Sequence, residues 1–167
     1  MTHTISVLVE NKAGVLARVA GLFSARAFNI DSLAVGETED PTVSRMTIVV
    51  RGDDRTLEQI IKQLNRLVDV IRVRDISKEP FFDRQLMLIR VGLDGKSREK
   101  LLKLAQDLGA QVVDAHQDNA IFELAGDQKK MDGMLEAMKP FGIREVVRTG
   151  RIALSQKTEV TLKDLKE

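Results

Sequence analysis

Two hydrophobic periods take turns along the chain. Over residues 4–9, Ile5, Val7 and Val9 alternate with Thr4 and Ser6, a period of two that predicts a half-buried strand. After the short turn Asn11-Lys12-Ala13-Gly14, the residues Leu16, Val19, Ala20, Phe23 and Ala27 recur at helical spacing, with Arg18, Ser24 and Arg26 on the other side. Phe28 and Asn29 close that helix, and residues 30–35 read as a second strand. A polar loop punctuated by Pro41 leads to a third strand over 44–51, where Met46, Ile48 and Val50 face one way. Gly52 breaks it, and Asp53 or Asp54 offers an N-cap to a helix marked by Leu57, Ile60, Ile61, Leu64 and Leu67. Residues 68–76 form a fourth, β-branched strand.

The order β-α-β-β-α-β is that of a ferredoxin-like unit, in which two helices cover one face of an antiparallel sheet. The other face needs a cover or a partner. After the polar stretch Ser77-Lys78-Glu79-Pro80 the pattern repeats, offset by about eighty residues. A strand over 82–91 precedes a helix carrying Leu101, Leu104, Ala105 and Leu108. A hairpin of 110–115 and 120–124 turns around Gln117-Asp118-Asn119. A helix with Met131, Met134, Leu135 and Met138 is stopped by Pro140 and Gly142, and a strand follows over 143–149. The expected fold class is therefore α+β, with two tandem ferredoxin-like βαββαβ domains. The expected boundaries are a first domain at 1–77, a linker at 78–81, a second domain at 82–157 and a charged tail at 158–167.

Composition narrows the function. Apolar residues make up 43% of the chain and charged residues 31%, enough for a packed core and a hydrated surface. The net charge of +1 gives no bulk attraction to nucleic acid or membrane. The absence of cysteine excludes disulfides, thiolate nucleophiles and Cys-based metal sites. The first apolar run is stopped by Glu10 and Asn11, so no signal peptide is expected, nor is any run long enough for a membrane helix; the expected compartment is cytoplasmic. Of the two histidines, His3 sits at what reads as a mobile terminus. His116 lies between Asp114 and Asp118, which reads as a solvated turn rather than a metal site. No zinc-protease, Walker or nucleophile-elbow motif is present, so no catalytic residue is assigned. RNA-binding members of this topology display aromatics on their central strands, which here carry none. Phe81 and Phe82 stand alone, and the basic face of Lys96, Arg98, Lys100 and Lys103 reads as solvated.

The first β–α junction has ligand-binding character. Gly14, Val15 and Leu16 place backbone amides in the first turn of a helix, where they suit a carboxylate. Gly14 lets a ligand approach the backbone, and Asn11 brings both an acceptor and a donor. An amino acid, with its anion beside an ammonium, needs that mixture. Asn-x-x-Gly is also a common turn. Two features favour a site: Asn29 at the start of the neighbouring strand, and the contrast with Gly92-Leu93-Asp94-Gly95. That matching junction of the second half lacks an Asn and carries an acid that repels a carboxylate.

These residues also carry a family likeness. Residues 6–33 (SVLVENKAGVLARVAGLFSARAFNIDSL), 40–48 (DPTVSRMTI) and 63–70 (QLNRLVDV) resemble the ACT domain of acetolactate (acetohydroxyacid) synthase regulatory subunits. Residues 84–91 (RQLMLIRV) and 148–155 (RTGRIALS) resemble that family's second domain. The resemblance implies a non-catalytic subunit of branched-chain amino acid biosynthesis that forms homodimers by pairing ACT domains. It implies that the subunit activates a large catalytic subunit, and that valine, or else isoleucine or leucine, binds at the ACT interface and inhibits. Thiamine diphosphate, Mg and FAD would belong to the large subunit, with no cofactor in this chain. The effector would touch Asn11, Gly14, Val15 and Leu16 of one chain and Asn29 and Ile30 of its partner. The alternative function is a stand-alone amino-acid-binding sensor without an enzyme partner.

Overall fold

Alternation along the first strand becomes a two-sided ribbon: Ile5, Val7 and Val9 are fully buried on the helix-covered side, while Thr4, Ser6 and Leu8 point to the other. The structure, a computed structural model, describes residues 1–26, 28–157, 161, 162 and 165. It divides into two units, Met1–Phe82 with Arg151–Glu167, and Asp83–Gly150.

In the first unit, β1 (Thr2–Glu10), β2 (Ile30–Glu37), β3 (Val43–Arg51) and β4 (Val70–Asp75) form an antiparallel sheet ordered β2-β3-β1-β4. Helices α1 (Val15–Ser24) and α2 (Asp54–Leu64) lie on one face. Val15, Val19 and Phe23 of α1 and Leu57, Ile60 and Leu64 of α2 pack on Ile5, Val7, Val9, Met46, Ile48 and Val50. Asp53 is the cap of α2, accepting the Thr56 N–H at 2.7 Å. Helix α1 ends at Ser24, before Phe28 and Asn29: Ala25 N–H still makes a helical bond to Gly21 O, but the Arg26 and Phe28 amides both turn to Phe23 O. The expected helical position Ala27 lies outside the described residues.

The second unit repeats the plan with β5 (Phe81–Gly92), α3 (Arg98–Asp107), β6 (Gln111–Ala115), β7 (Asn119–Gly126), α4 (Gln128–Met138), a 3₁₀ turn (Lys139–Phe141) and β8 (Ile143–Arg148). Its sheet is ordered β6-β7-β5-β8. Met87, Ile89, Val91, Phe122 and Leu124 meet Leu101, Ala105, Met131, Met134 and Met138 in its core. Both units are ferredoxin-like βαββαβ folds, as the periodicity predicts.

Two features depart from the sequence reading. Residues 151–157 were expected at the end of the second domain; β9 (Ile152–Ser155) pairs with β5, while by its contacts Arg151 onward groups with the first unit. Arg151 N–H donates to Ser32 Oγ at 2.8 Å and Ala153 N–H to Thr47 Oγ1 at 3.3 Å. Gln156 N–H donates to Pro80 O at 2.9 Å. The reason lies in the alternation: the face turned away from the helices carries hydroxyls, and the returning backbone supplies donors for them. His3 is the second departure. It is buried within β1, paired with Val50, and its Nε2 lies 3.2 Å from Gly52 O. The ladder continues to Thr2 and Arg51, and Gly52 N–H donates to Met1 O, so the terminus is held as strand. Of the expected tail, residues 158–160, 163, 164, 166 and 167 lie outside the described residues. Among the described residues, no helix is long and apolar enough to cross a membrane.

Candidate functional site

The β1–α1 junction is anchored on both sides. Glu10 N–H donates to Asp69 O and Asn11 N–H to Thr42 O, each at 2.8 Å, which ties the end of β1 to the loops before β4 and before β3. The Asn11 side chain donates its Nδ2 to Glu37 Oε1 and to Pro41 O, both at 2.9 Å. Its Oδ1 has no partner among the described residues. Asn11 is thus a fixed amide with its acceptor left over.

Gly14 caps α1 with φ 83° and ψ −9°, a left-handed conformation in which any Cβ is strained. A Cβ there would also lie 3.2 Å from an Arg18 guanidinium nitrogen. No side chain caps the helix start. Val15 N–H makes only a long 3.4 Å contact with Lys12 O, and Gly14 O accepts the Arg18 N–H at 3.0 Å. The donors expected at the first turn are therefore held loosely or left to the surroundings.

Val15 and Leu16 play opposite parts. The Val15 side chain is in the core, so only its backbone faces the junction. Leu16 is 46% exposed and presents an apolar surface beside the glycine turn. The cations at the junction are already paired. Lys12 Nζ donates to Glu10 Oε2 at 2.7 Å, and the Glu10 carboxylate holds the lysine above its usual pKa. Arg18 donates Nε and an Nη to the mostly buried Asp69 Oδ2, at 2.9 and 2.5 Å. Sequence reasoning put Arg18 on the polar face and missed this pair. The available signal was its position four residues after Gly14, which places it over the helix start.

Asn29 and Ile30 are elsewhere. Ile30 pairs with Val50 at one end of β3, whereas Glu10 pairs with Val43 at the other. At a strand rise of ~3.3 Å per residue the two halves of the expected site are more than about 20 Å apart in one chain. Asn29 is exposed, donating its Nδ2 to Asp31 Oδ1 at 2.8 Å, and Ile30 is half-buried against the core. The structure brings Asn11, Gly14, Val15 and Leu16 together and leaves Asn29 and Ile30 at the opposite end of the sheet.

The ionisable groups of the junction, Glu10, Lys12, Arg18, Glu37 and Asp69, are engaged in the bonds just described. His116 Nε2 contacts Asp114 Oδ2 at 2.8 Å, while Asp118 pairs instead with Arg144, so the Asp-His-Asp run does not converge. Among the described residues no group of three or more His, Cys, Asp or Glu could hold a metal ion.

Comparison with known proteins gives one consistent result. Residues 5–72 match the family described as AHAS small subunit-like ACT domain, and residues 84–157 match the small subunit of acetolactate synthase. The acetolactate synthase small subunit of Mycobacterium bovis is 48% identical over 155 residues, covering 93% of this chain and 92% of that protein. Its counterpart in Aquifex aeolicus is 42% identical over 95% of this chain and 83% of its own length. The crystal structure of the acetolactate synthase small subunit from Thermotoga maritima superposes with a TM-score of 0.86 at 36% identity, over 95% of this chain and 99% of that one. With both domains matched and relatives this similar over nearly their whole lengths, the chain belongs to the family of acetolactate synthase small subunits.

Proposed function

We propose that this chain is the regulatory subunit of an acetolactate synthase, and that it binds valine between the ACT domains of two copies to inhibit the enzyme. The observation that carries this reading is the separation of the site's two halves along one sheet. Strand β2 is an edge strand. A second copy pairing antiparallel along β2 sets the start of one β2 against the end of the other, as a twofold interface requires. Glu37 at that end already holds Asn11. The partner's Asn29 and Ile30 then face Asn11 and Gly14, completing a pocket that neither chain has alone.

Each part of valine has a counterpart. Its carboxylate meets the amides of Gly14, Val15 and Leu16 at the positive end of α1. Its ammonium meets Asn11 Oδ1, with Glu37 close by. Its side chain lies against Leu16 and the partner's Ile30. A ligand seated this way stabilises whichever dimer geometry closes on it, and differential affinity is what shifts the state. Activation of the large catalytic subunit is coupled to valine by the same linkage. Thiamine diphosphate, Mg and FAD act in that large subunit.

The experiment is calorimetry with valine on wild-type and variant dimers, together with inhibition of the enzyme reconstituted with its large subunit. Gly14→Asp places a carboxylate where the ligand's belongs, and is expected to abolish both binding and inhibition. Asn29→Ala is expected to weaken binding by about 1–3 kcal/mol. Mixing Gly14→Asp chains with Asn29→Asp chains should restore one working site per mixed dimer, because the two defects fall on the same one of its two sites. Failure of the mixture to regain any binding would place both halves in one chain and overturn the shared site.

A further inference from the structure

The second unit contains a cleft at the junction that corresponds to the one just described. About 430 Å³ of space lies between the β5–α3 loop and the turn leading into β8. That volume falls in the range of small-ligand pockets. Gly92 allows the two walls to meet, since its N–H donates to Gly142 O at 2.8 Å and a Cβ there would come within 3.0 Å of Phe141 O.

The polar groups lining this cleft are of both signs and are differently committed. Asp94 uses one oxygen, Oδ1, to accept the amides of Lys96 and Ser97 and the Ser97 hydroxyl. Those bonds, the Ser97 hydroxyl first, hold its carboxyl below the usual value, so it stays anionic with Oδ2 uncommitted among the described residues. Arg144 is aimed by Asp118, giving one Nη to Asp118 Oδ2 at 2.8 Å and the other to Asp118 O at 2.9 Å. Its Nε remains on the cleft side, 3.7 Å from where a Gly92 Cβ would stand. Lys100 lines the same space and makes no ion pair among the described residues. Leu93, Pro140 and Phe141 give the apolar wall.

We propose that this cleft is a second binding site, for a zwitterionic α-amino acid with an apolar side chain. Lys100 and Arg144 take the carboxylate, and Asp94 Oδ2 takes the ammonium. Asp94, which from sequence alone argues against a carboxylate ligand, is here the group that demands an amine next to it. A plain anion would meet the two cations and also the uncompensated acid, whereas a zwitterion matches both.

The test uses the full chain carrying Gly14→Asp, so that its outcome is independent of the first site. Valine, leucine, methionine and phenylalanine are titrated one at a time, alongside isocaproate, which is leucine without its ammonium. The readout is the set of amide resonances of Leu93, Asp94 and Lys100 and the Arg144 Nε resonance. At least one amino acid is expected to give saturable shifts confined to these groups, with isocaproate binding about tenfold weaker or more. Lys100→Gln should weaken the amino acid by a similar factor. Asp94→Asn, which keeps the acceptor for the Ser97 amide, should do the same while leaving the remaining amide spectrum unchanged. No saturable shift with any of the four at millimolar concentration overturns the proposal. So does isocaproate binding as well as leucine, or a gain in affinity with Asp94→Asn, either of which marks a site for simple anions.

Discussion

The two units share a strand order and differ in the face their helices leave bare. In the first, that face carries Thr4, Ser6 and Thr47, all buried, and Ser32 beside them, with the backbone of residues 151–153 donating to Ser32 and Thr47. In the second, it carries Leu86 and Leu88 of β5, each 38% exposed, and Val147 of β8, 55% exposed and paired with Leu88. The first face mixes these hydroxyls with the buried Leu8 and Val49 and receives the backbone of residues 151–153, while the second sets its leucines beside Arg90, Glu123 and Glu145 and leaves Leu86, Leu88 and Val147 partly exposed. The difference teaches that ferredoxin-like sheets of equal topology solve the second-face problem by different chemistry. Hydroxyls can be matched by a single passing strand through its N–H groups, whereas an apolar patch needs area.

The comparison can be broken at its cores first. Phe23 and Phe122 are each fully buried, one per unit. Phe23→Ala and Phe122→Ala should each cost about 3–5 kcal/mol, seen by denaturant melts with amide exchange resolved by unit. Phe23→Ala should speed exchange in β1 and β3 and at Ala153 but not in β7. Equal loss of protection in both sheets would mean that the two are one cooperative body. The contrast between the faces is sharpened by Thr47→Val, which keeps the shape and leaves the Ala153 N–H without its acceptor. A loss of about 1–3 kcal/mol is expected in the first unit, with faster exchange at Ala153 and none at Phe122.

The smallest effect is a pH dependence of the second unit. Asp94 has its pKa lowered from 3.8, by the Ser97 hydroxyl and then the Ser97 amide. A depressed folded-state value binds fewer protons than the unfolded chain in that range, so stability rises with pH there. The contribution is complete above about pH 3.8, and it is lost as the pH falls through the lower folded value. Asp94→Asn should flatten that part of the acid limb in a pH series of melts. An unchanged limb would show that Asp94 contributes nothing in acid.

Much of this was legible in the residues. Ile5, Val7 and Val9, or Leu57, Ile60 and Leu64, announce their elements because burial on one side imposes the period directly. Strand β9 was not legible, for a physical reason. It binds Thr47 through its own backbone N–H, and Ile152 and Leu154 are 59% and 63% exposed, so no side-chain pattern records the contact. His3 misled because a polar residue near a terminus looks solvated, while the ladder from Thr2 to Arg51 buries it. At the β1–α1 junction the turn at Gly14 was legible because its left-handed φ favours glycine, whereas the Asn11 side-chain bonds to Glu37 and Pro41 join residues 26 and 30 apart and were not. Asn29 and Ile30 lie at the other end of the sheet, which the local pattern at the junction does not reach. The Arg18–Asp69 pair joins residues 51 apart, a distance that local pattern does not span.

The bond between Arg151 and Ser32 joins residues 119 apart, and the one between Ala153 and Thr47 joins residues 106 apart. A chain leaving the ribosome therefore presents residues 83–150 before the segment that donates to Ser32 and Thr47 exists. The four strands of the first sheet are complete by Asp75, whereas Ser32 and Thr47 meet these donors only once residues 151–153 are made. The hydroxyl-bearing face of the first sheet is thus satisfied later in synthesis than its helix-covered core.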